Sequence, residues 1–572
     1  MKTPFFIFLL ACSIFFMAAC SEEKMIPEPP PPPPPVEEID SLVISPTLEV
    51  QGYSNKKNRL GAGDYTCDTL FIISNLPNGN WEYTLSLGES IQAGIIQVNN
   101  ETAKIPNQQK EENWLKFLVY DSICIHITLY SDDFIMAQHE DSFTFKNEAY
   151  KIRTWQDLQA MRYDLMGNYE LQNDITFPEP ATEGFPEQGF LPIGTAGPSS
   201  AFLINAFKGS LNGFGYKIVN FSIDRADLNY VGLFGVLADA TIKDISLEIS
   251  SKGISGGNYV GAISGYIAQK STIENCKVIG NINGLNQVGG IAGEININSV
   301  ISLSRTTGNI KGINYVGGIV GKANQGSNIS TSFVEGIVNG NNYLGGLVGQ
   351  NKSTIYNSQS GGQTNNIQII GKSFTGGLCG YNNGEIIGCR VINGRVEGEI
   401  NLGGIIGYAD SLSLCQESCS KINIKGDSRV GGLVGYNKGI IDNSYALGQV
   451  EGGSFVGGLV GEFFSQATNS YVSIDVIGSS TSSSGAFMGS NNGTMTNCYY
   501  DEEKKTPSRS VGNDDSDFGL EPKSQTDFLN FSALQIPRNI FVGWDFKSVW
   551  ENEVPLANNE KYPGLKREFN FE

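Results

Sequence analysis

Histidine is almost absent from this chain of 572 residues, which contains only His126 and His139. No Cys-x-x-Cys pair occurs, and the 39 lysines and arginines are outnumbered by 59 acidic residues, giving a net charge of -20. Zinc sites are built from clustered cysteine and histidine, and nucleic-acid surfaces are basic. We therefore expect no metal site, no cofactor and no nucleic-acid partner.

Long apolar runs are also scarce, and the one at residues 5–16 is too short to span a bilayer comfortably. It leads into Met17-Ala18-Ala19-Cys20, which resembles a bacterial lipoprotein signal that leaves Cys20 as an acylated N-terminus. The alternative is an ordinary cleaved signal with an incidental cysteine. Residues 1–20 are thus expected to be a signal peptide, and the lipid would anchor the protein in the outer membrane.

An acidic, proline-rich tether is predicted for residues 21–38. Its acidic start resembles the surface-export signal of Bacteroidetes lipoproteins, which implies that the protein faces the cell exterior. The proline run that ends at Pro35 favours an extended polyproline helix, which would hold the body roughly 28 Å from the lipid.

Residues 39–148 contain short alternating apolar runs separated by turn signals such as Pro-Asn-Gly-Asn at 77–80. This pattern predicts an immunoglobulin-like β-sandwich. Cys67 and Cys124 both fall in this domain and could form a disulfide.

A short glycine-containing phrase then recurs along the chain, reading Asn-Tyr-Val-Gly-Gly-Ile-Val-Gly at residues 314–321. Its copies are spaced 26 to 31 residues apart, most often 28, which predicts stacked repeats. The closing glycines are Gly235, Gly265, Gly293, Gly321, Gly349, Gly380, Gly407, Gly435, Gly461 and Gly489.

Within each repeat, apolar and polar residues alternate over four or five positions before a glycine, as in residues 272–284. This reads as strand, turn, strand, and one repeat suits one coil of a parallel β-helix. We predict an all-β fold with a solenoid of about ten coils over residues 230–499, in which case the rod would be about 48 Å long. Repeated antiparallel hairpins are the alternative.

The two ends of the solenoid are expected to be capped, because a repeat fold exposes apolar cross-sections. At residues 149–229 we predict an N-terminal cap and first coils, opened by a short helix that Thr154 caps with Asp157. Residues 500–572 would form the C-terminal cap, where Trp544 and Trp550 cover the last coil or, alternatively, stack on sugar.

One repeat position takes only small side chains, which favours burial over redox or metal chemistry. We place Cys276, Cys389, Cys419 and Cys498 there, alternating with serines, and a Cys389–Cys419 bridge is possible but not required. Asparagines just past the closing glycine suit a turn and a stacked amide ladder. They are Asn351, Asn382, Asn437 and Asn492.

These phrases resemble the Glug-motif family, whose repeats read Tyr-Val-Gly-Gly-Leu-Val-Gly, over roughly residues 150–572. Ala262 and Ala486 replace the second glycine in two copies. The family occurs in secreted and surface proteins of bacteria, including adhesin-like proteins and non-catalytic regions of some immunoglobulin A peptidases. The resemblance implies surface display and adhesion, and it supplies no catalytic residues.

We therefore expect a non-enzymatic adhesin that binds a glycan or an extracellular host protein through the solenoid or the sandwich. An aromatic column could stack on sugar rings if it faces outward, and it is core if it faces inward. A polysaccharide-processing enzyme is disfavoured because no neighbouring coils align several aspartates, and a structural spacer is a further alternative. The column comprises Tyr230, Tyr259, Tyr315, Tyr343, Phe374 and Phe455.

Overall fold

A computed structural model describes seven strands between residues 47 and 143, and then residues 149–566 with gaps. Cys20 and Cys67 lie outside the described residues, and only the backbone of Cys124 is described, so the lipid anchor and the N-terminal disulfide stay predictions. None of the described helices is long and apolar enough to cross a membrane. The gaps after residue 149 are 181–184, 363–365, 481, 505–506, 514–519, 525–526, 529–540, 542–543 and 556–560.

The N-terminal strands form two antiparallel sheets. The first, second and fifth strands make one sheet, and the other four follow the order fourth, third, sixth, seventh. This is the strand division of an immunoglobulin-like sandwich, except that the fourth strand lies beside the third. The seven strands are Thr47–Val50, Thr69–Ser74, Gly79–Leu87, Ser90–Val98, Thr102–Pro106, Ile123–Ser131 and Phe134–Phe143.

From residue 150 the chain winds into a solenoid with three faces, which we call A, B and C. Each strand pairs in parallel with the equivalent strand of the next coil, so the predicted β-helix is confirmed and the hairpin alternative is wrong. Face A has ten strands, one for each turn. They are Phe234–Ala238, Ser264–Ala268, Ala292–Ile295, Val320–Ala323, Val348–Asn351, Cys379–Asn382, Ile406–Ala409, Val434–Asn437, Val460–Phe463 and Met488–Asn491.

Face B is built from short strands that continue into the N-terminal cap. They are Tyr150–Ile152, Asn168–Leu171, Ser210–Asn212, Thr241–Lys243, Thr272–Glu274, Val300–Ser302, Asn328–Ser330, Thr354–Tyr356, Glu385–Ile387, Leu414–Gln416, Ile440–Asp442, Gln466–Thr468 and Thr494–Thr496.

Face C is the longest sheet, and a coil gives it between one and three strands. They are Ile175–Thr176, Lys217–Asp224, Ser246–Ser255, Val260–Gly261, Lys277–Ile279, Ile282–Asn283, Asn286–Gly289, Arg305–Lys311, Asn314–Gly317, Phe333–Asn339, Asn342–Gly345, Gln359–Ser360, Ile367–Ile370, Ser373–Gly376, Arg390–Glu397, Ile400–Gly403, Cys419–Gly431, Tyr445–Gly457, Tyr471–Gly478, Ser484–Gly485, Tyr499–Asp501 and Glu521–Lys523.

The core is one continuous cluster of apolar side chains from the three faces, and it runs along the axis from Ile152 to Leu520. On face B, for example, Ile301 pairs directly with Ile329, and both are fully buried. Identical neighbours stack because every coil repeats the same inward positions. Burying one such isoleucine contributes roughly 1.5–3 kcal/mol relative to leaving it exposed.

The predicted small-residue column is confirmed, and its serines continue the hydrogen bonding between coils. The backbone N–H of Ser304 donates to Ser332 Oγ at 3.4 Å, and that of Cys389 donates to Ser418 Oγ at 3.1 Å. Ser418 therefore holds the place that we assigned to Cys419. The assignment of Cys419 is wrong because a shift of one residue turns a strand side chain to the opposite face.

The cysteines of the solenoid are buried and chemically quiet. Burial raises the pKa of the Cys276 thiol to about 12, so it stays protonated and unreactive. Among the cysteines that the structure describes there is no disulfide, and Cys389 and Cys419 are not bridged.

The predicted amide ladder is present in part. Asn351 Nδ2 donates to Asn382 Oδ1 at 2.7 Å, whereas Asn491 rather than Asn492 holds the equivalent position in the last coil. A longer ladder, which the sequence reasoning missed, precedes the aromatic column on face C, with amide bonds of 2.8–3.0 Å. Its members are Asn229, Asn258, Asn286, Asn314 and Asn342.

The capping box predicted for Thr154 and Asp157 is present. Thr154 Oγ1 accepts from the backbone N–H of Asp157 at 3.2 Å, and the Asp157 carboxylate accepts from the backbone N–H of Thr154 at 3.0 Å. This capping box starts the helix Trp155–Ala160, and the 3-10 turn Met161–Tyr163 follows it. A second 3-10 turn lies at Ser199–Ala201.

The C-terminal cap differs from the prediction. Trp544 and Trp550 stack on each other at 4.2 Å and lie against the outward tyrosines Tyr445, Tyr471 and Tyr499 on the flank of face C. Both indoles are nearly buried, so neither forms an open sugar platform. The terminal hairpin of Trp550–Pro555 and Lys561–Leu565 carries this contact, whereas Glu521–Lys523 extends the last coil of face C.

The first glycine of each Gly-Gly pair is required where face C turns into face A. A Cβ on Gly317 would lie 2.2 Å from Val320 O and 2.5 Å from Leu347 O, both backbone atoms that cannot rotate away. We predict that Gly317→Ala destabilises the solenoid by about 1–3 kcal/mol, measured as a lower urea midpoint. Ala262→Gly is the control, because that coil already accepts alanine at the second glycine position. An unchanged midpoint for Gly317→Ala would contradict the assigned close approach.

Candidate functional site

The six predicted aromatic residues form one column on the outside of the solenoid, where face C leads into face A. All six are half-buried, so they are neither core nor fully exposed. Each adopts a left-handed backbone, with φ between 51° and 62°. Gln287, Asn401 and Arg429 occupy the same position with φ of 51°, 59° and 55°. The strain therefore belongs to a corner that nine successive coils repeat.

Neighbouring rings of this column stack face to face. The centroids of Tyr230 and Tyr259 are 4.7 Å apart, and the interplanar angle is 9°. Tyr343 lies 4.8 Å from Tyr315 and 4.9 Å from Phe374, with angles of 9° and 4°. The rings follow the coil spacing, so each ring covers the faces of its neighbours and presents its edge to solvent.

A second aromatic column, which the sequence reasoning missed, runs beside the first on face A. It consists of half-buried tyrosines that directly follow closing glycines: Tyr266, Tyr381, Tyr408 and Tyr436. Tyr408 stacks on Tyr381 at 5.4 Å and on Tyr436 at 4.8 Å. The recurring Gly-Tyr pair was the signal that could have revealed it.

The two columns contact each other edge to face. Tyr266 meets Tyr259 at 5.8 Å and 77°, and Tyr408 meets Phe374 at 5.5 Å and 73°. Such pairs stabilise by about 0.5–1.5 kcal/mol beyond the area that they bury. We call the ten residues together the tyrosine ridge. They are Tyr230, Tyr259, Tyr266, Tyr315, Tyr343, Phe374, Tyr381, Tyr408, Tyr436 and Phe455.

A polar break interrupts the ridge in the coil that carries Gln287 and Glu294. Glu294 is buried, lies 3.6 Å from Lys322 Nζ and accepts from Asn324 Nδ2 at 2.7 Å. Burial, reinforced by the Glu294 charge, raises the pKa of Tyr266 to about 12. The hydroxyl of Tyr266 therefore stays a hydrogen-bond donor at physiological pH.

The far end of the ridge holds cations over its rings. The Arg429 guanidinium lies 5.5 Å from the Tyr436 ring and 5.9 Å from the Phe455 ring, and it pairs with Glu462. The Tyr381 hydroxyl donates to Asp410, which lowers the pKa of that carboxyl. Each of these charged groups already has a partner within the ridge.

This geometry revises the sugar-stacking hypothesis. A sugar that stacks on an aromatic ring needs an open ring face, and within the ridge most faces are covered by the adjacent coil. Open faces are expected only at breaks, such as those of Tyr259 and Tyr315 on either side of Gln287. The predicted residues come together as two stacked runs of ring edges, Tyr230/Tyr259 and Tyr315/Tyr343/Phe374, whereas Phe455 lies apart from them beyond Asn401 and Arg429.

A concave feature, separate from the tyrosine ridge, lies at the corner where face B turns into face C. We call this 540 Å³ cavity the corner groove. The sequence reasoning missed it, because Asp244 and Glu274 occupy different repeat positions on neighbouring coils and share only the lining of the groove. Its lining residues are Lys243, Asp244, Glu274, Asn275, Leu303, Ser304, Arg305, Thr331 and Phe333.

Within the described part of the chain, no group of three or more histidine, cysteine or acidic side chains could hold a metal ion. Several acidic residues of the two surfaces instead bond to neighbouring amides, hydroxyls or cations, as Asp244 does with Asn275 at 2.6 Å.

The sequence of the late coils matches a known family, the GLUG motif, at residues 426–451. The chain carries a GLUG motif. This match confirms the resemblance inferred from the repeated phrases, and the matched residues cover most of one coil, from the end of face C through face A and face B.

Two curated proteins are similar to this chain over short stretches. Halomucin of Haloquadratum walsbyi is 33% identical over 138 residues, which is 23% of this chain and 1% of halomucin. A "putative Gly-rich membrane protein" of Evansella cellulosilytica is 33% identical over 153 residues, which is 25% of this chain and 17% of that protein. The chain thus spans a small fraction of the length of these relatives.

Two solved structures show a distant likeness. One is a "putative immunoglobulin A1 protease" from Bacteroides ovatus, at 18% identity and TM-score 0.26 over 74% of this chain and 94% of that one. The other is an IgA1 protease at 14% identity and TM-score 0.26, over 64% of this chain and 28% of that one. With TM-scores this low, neither likeness supports an argument about activity.

The raised pKa of Tyr266 gives a test of the ridge. In the folded protein this tyrosine ionises at higher pH than in the unfolded chain, so its contribution to stability is intact below pH 10 and is lost between pH 10 and about 12. We predict that Glu294→Gln lowers the pKa of Tyr266 only partly, because burial is the larger cause. Ultraviolet titration of tyrosinate, with Tyr266→Phe to assign the signal, measures it. A fall to the ordinary value of 10 would contradict the assigned burial.

Proposed function

We propose that this is a cell-surface binding protein that adheres to another protein through the tyrosine ridge. The observation that carries the proposal is the pair of outward, half-buried aromatic columns that run along one side of the solenoid. Tyrosine is enriched in protein interfaces because it combines a large apolar body with a polar tip.

The stacking within the ridge favours binding energetically. A side chain that becomes fixed on binding costs about 0.5–1.5 kcal/mol of lost rotamer freedom. Tyr343 is already held between Tyr315 and Phe374 on either face, so little of this freedom remains to be lost. A partner would meet a rigid strip of ring edges and hydroxyl groups, which is the property that makes tyrosine effective in antibody paratopes.

Location supports the same function. The lipoprotein-like signal, Cys20 and the proline tether would place the solenoid outside the cell, held to the outer membrane by acyl chains. One curated relative is named as a membrane protein. A rigid rod on a stalk suits contact with targets beyond the cell envelope.

A glycan ligand for the ridge is the second candidate, limited to the break at Gln287. We infer binding without catalysis at the ridge, since Glu294 and Asp410 are both engaged by neighbouring side chains. General acid or base chemistry needs a group that reaches the substrate.

The binding test uses the mature protein in detergent and immobilised collagen, fibronectin, laminin and mucin glycans. We expect saturable binding to a protein probe, weakened roughly tenfold or more in the double variant Tyr315→Ala/Tyr343→Ala, since interface tyrosines are frequent hot spots. The matched pair Tyr315→Phe/Tyr343→Phe keeps the stack and should bind far better.

Tyr356→Ala serves as the control, because Tyr356 is a half-buried tyrosine on face B, away from the ridge. Binding that survives the double alanine variant, or that Tyr356→Ala reduces equally, would refute the ridge as the adhesive surface. Binding to glycans alone would move the function to the second candidate.

The membrane anchor is tested separately in cells fed an alkyne-tagged fatty acid. We predict that Cys20→Ser abolishes labelling and releases the protein from the membrane fraction, because no acceptor thiol remains at the processing site. Cys12→Ser is the matched control, since Cys12 leaves with the signal, and it should be labelled normally. Labelled Cys20→Ser protein would show that the anchor lies elsewhere.

A further inference from the structure

We propose that the corner groove binds a neutral oligosaccharide, at a site separate from the tyrosine ridge. The groove extends across four successive coils, along a column of residues with left-handed backbone. Asp244, Asn275, Leu303 and Thr331 form this column, with φ of 56°, 50°, 51° and 47°. Because these four residues belong to successive coils and all line the cavity, the groove runs parallel to the rod axis.

The lining combines the groups that hydroxyl-rich ligands need. Asp244 and the exposed Glu274 supply carboxylate acceptors, and Lys243 and Arg305 supply charged donors. Asn275 offers both an acceptor and a donor. Adjacent hydroxyls of a sugar can donate to a carboxylate and accept from a guanidinium at the same time. The exposed side chain of Leu303, at 52%, provides an apolar surface for the C–H face of the ring.

Charge balance indicates a neutral ligand. The lining contains two cations, Lys243 and Arg305, and two carboxylates, Asp244 and Glu274, so charge of neither sign dominates it. An anionic polymer would have to lie against both carboxylates in a protein of net charge -20. A polycationic ligand would be repelled by Lys243 and Arg305.

The key groups are held in place before any ligand arrives. The Arg305 guanidinium bonds to Glu335 and lies 4.6 Å from the centroid of the Phe333 ring. Asp244 Oδ1 accepts from Asn275 Nδ2 at 2.6 Å. Arg305 has five N–H donors, so its bond to Glu335 leaves further donors for a ligand.

Size and spacing fit a short glycan. The 540 Å³ volume lies within the range of about 300–1,000 Å³ that is usual for small-ligand sites. Coils rise about 4.8 Å each, which is comparable to the length of one sugar residue in an extended chain. A glycan that lies along the groove would therefore meet one new set of side chains for each sugar.

A polypeptide is the other occupant to consider, because the same corner is covered by the C-terminal segment farther along the rod. There, Trp550 Nε1 donates to Asn443 Oδ1 at 3.1 Å, and buried tyrosines such as Tyr445 receive the indoles. In the corner groove, the outward position that Tyr445 fills farther along the rod is instead occupied by Arg305. Its polar lining would be costly to cover with an aromatic peptide.

The test uses the mature protein in a detergent without a sugar headgroup, titrated calorimetrically with cellohexaose, laminarihexaose, maltohexaose and mannohexaose. We expect at least one to bind, and binding to weaken fivefold or more in both Glu274→Gln and Asp244→Asn. These changes keep side-chain shape and the Asn275 contact, so folding should be preserved. Glu399→Gln, an exposed change away from the groove, should bind normally.

The double variant Tyr315→Ala/Tyr343→Ala should bind the hexasaccharide normally, which separates this site from the proposed adhesive ridge. Absence of binding by all four probes would overturn the proposal, as would binding that neither groove variant weakens. A synthetic peptide of residues 541–566 is tested in parallel. If it binds and Glu274→Gln weakens that binding, the groove is a polypeptide site and the saccharide assignment is wrong.

Discussion

The backbone hydrogen bonds between successive coils are the interaction on which this structure depends. Each strand of the three faces pairs in parallel with its equivalent one coil away, so no coil satisfies its backbone groups alone. This ladder fixes the rise at about 4.8 Å per coil and brings identical repeat positions into register. A residue type that recurs in the sequence thereby becomes a continuous column in space.

These columns account for both the stability of the solenoid and its two candidate surfaces, the tyrosine ridge and the corner groove. Inward positions produce the columns of isoleucine and serine. The corner before face A produces stacked rings whose centroids are 4.7–4.9 Å apart, which follows the coil rise. Holding Tyr315 at φ 55° costs about 1–2 kcal/mol, which stacking and the coil ladder offset. The corner groove arises in the same way at the opposite end of face C, where Asp244 and Asn275 share the left-handed turn.

Periodicity made the solenoid and the Tyr315 column predictable, because a 28-residue spacing needs no tertiary information. Other features depended on strand parity or on distant segments. Cys419 was misplaced because it neighbours Ser418, and a shift of one residue reverses the side of the sheet. Tyr266 was missed because the glycines that flank the corner hide the alternation of inward and outward side chains along the strand. No local pattern indicates that Trp550 packs beside Tyr445 or that Asp244 and Glu274 line one groove, since these residues come from different columns.

Distances between spin labels along one column test the stacked-coil account most directly. Labels replace the face B residues in the pairs Thr241/Glu385 and Thr241/Thr494, which are five and nine coil steps apart in register, with Cys67 and Cys124 changed to serine. Pulsed electron resonance should give distances near 24 Å and 43 Å, a difference of about 19 Å set by the coil rise. Equal distances, or a difference far from four coil rises, would contradict the parallel stack and, with it, both proposed surfaces.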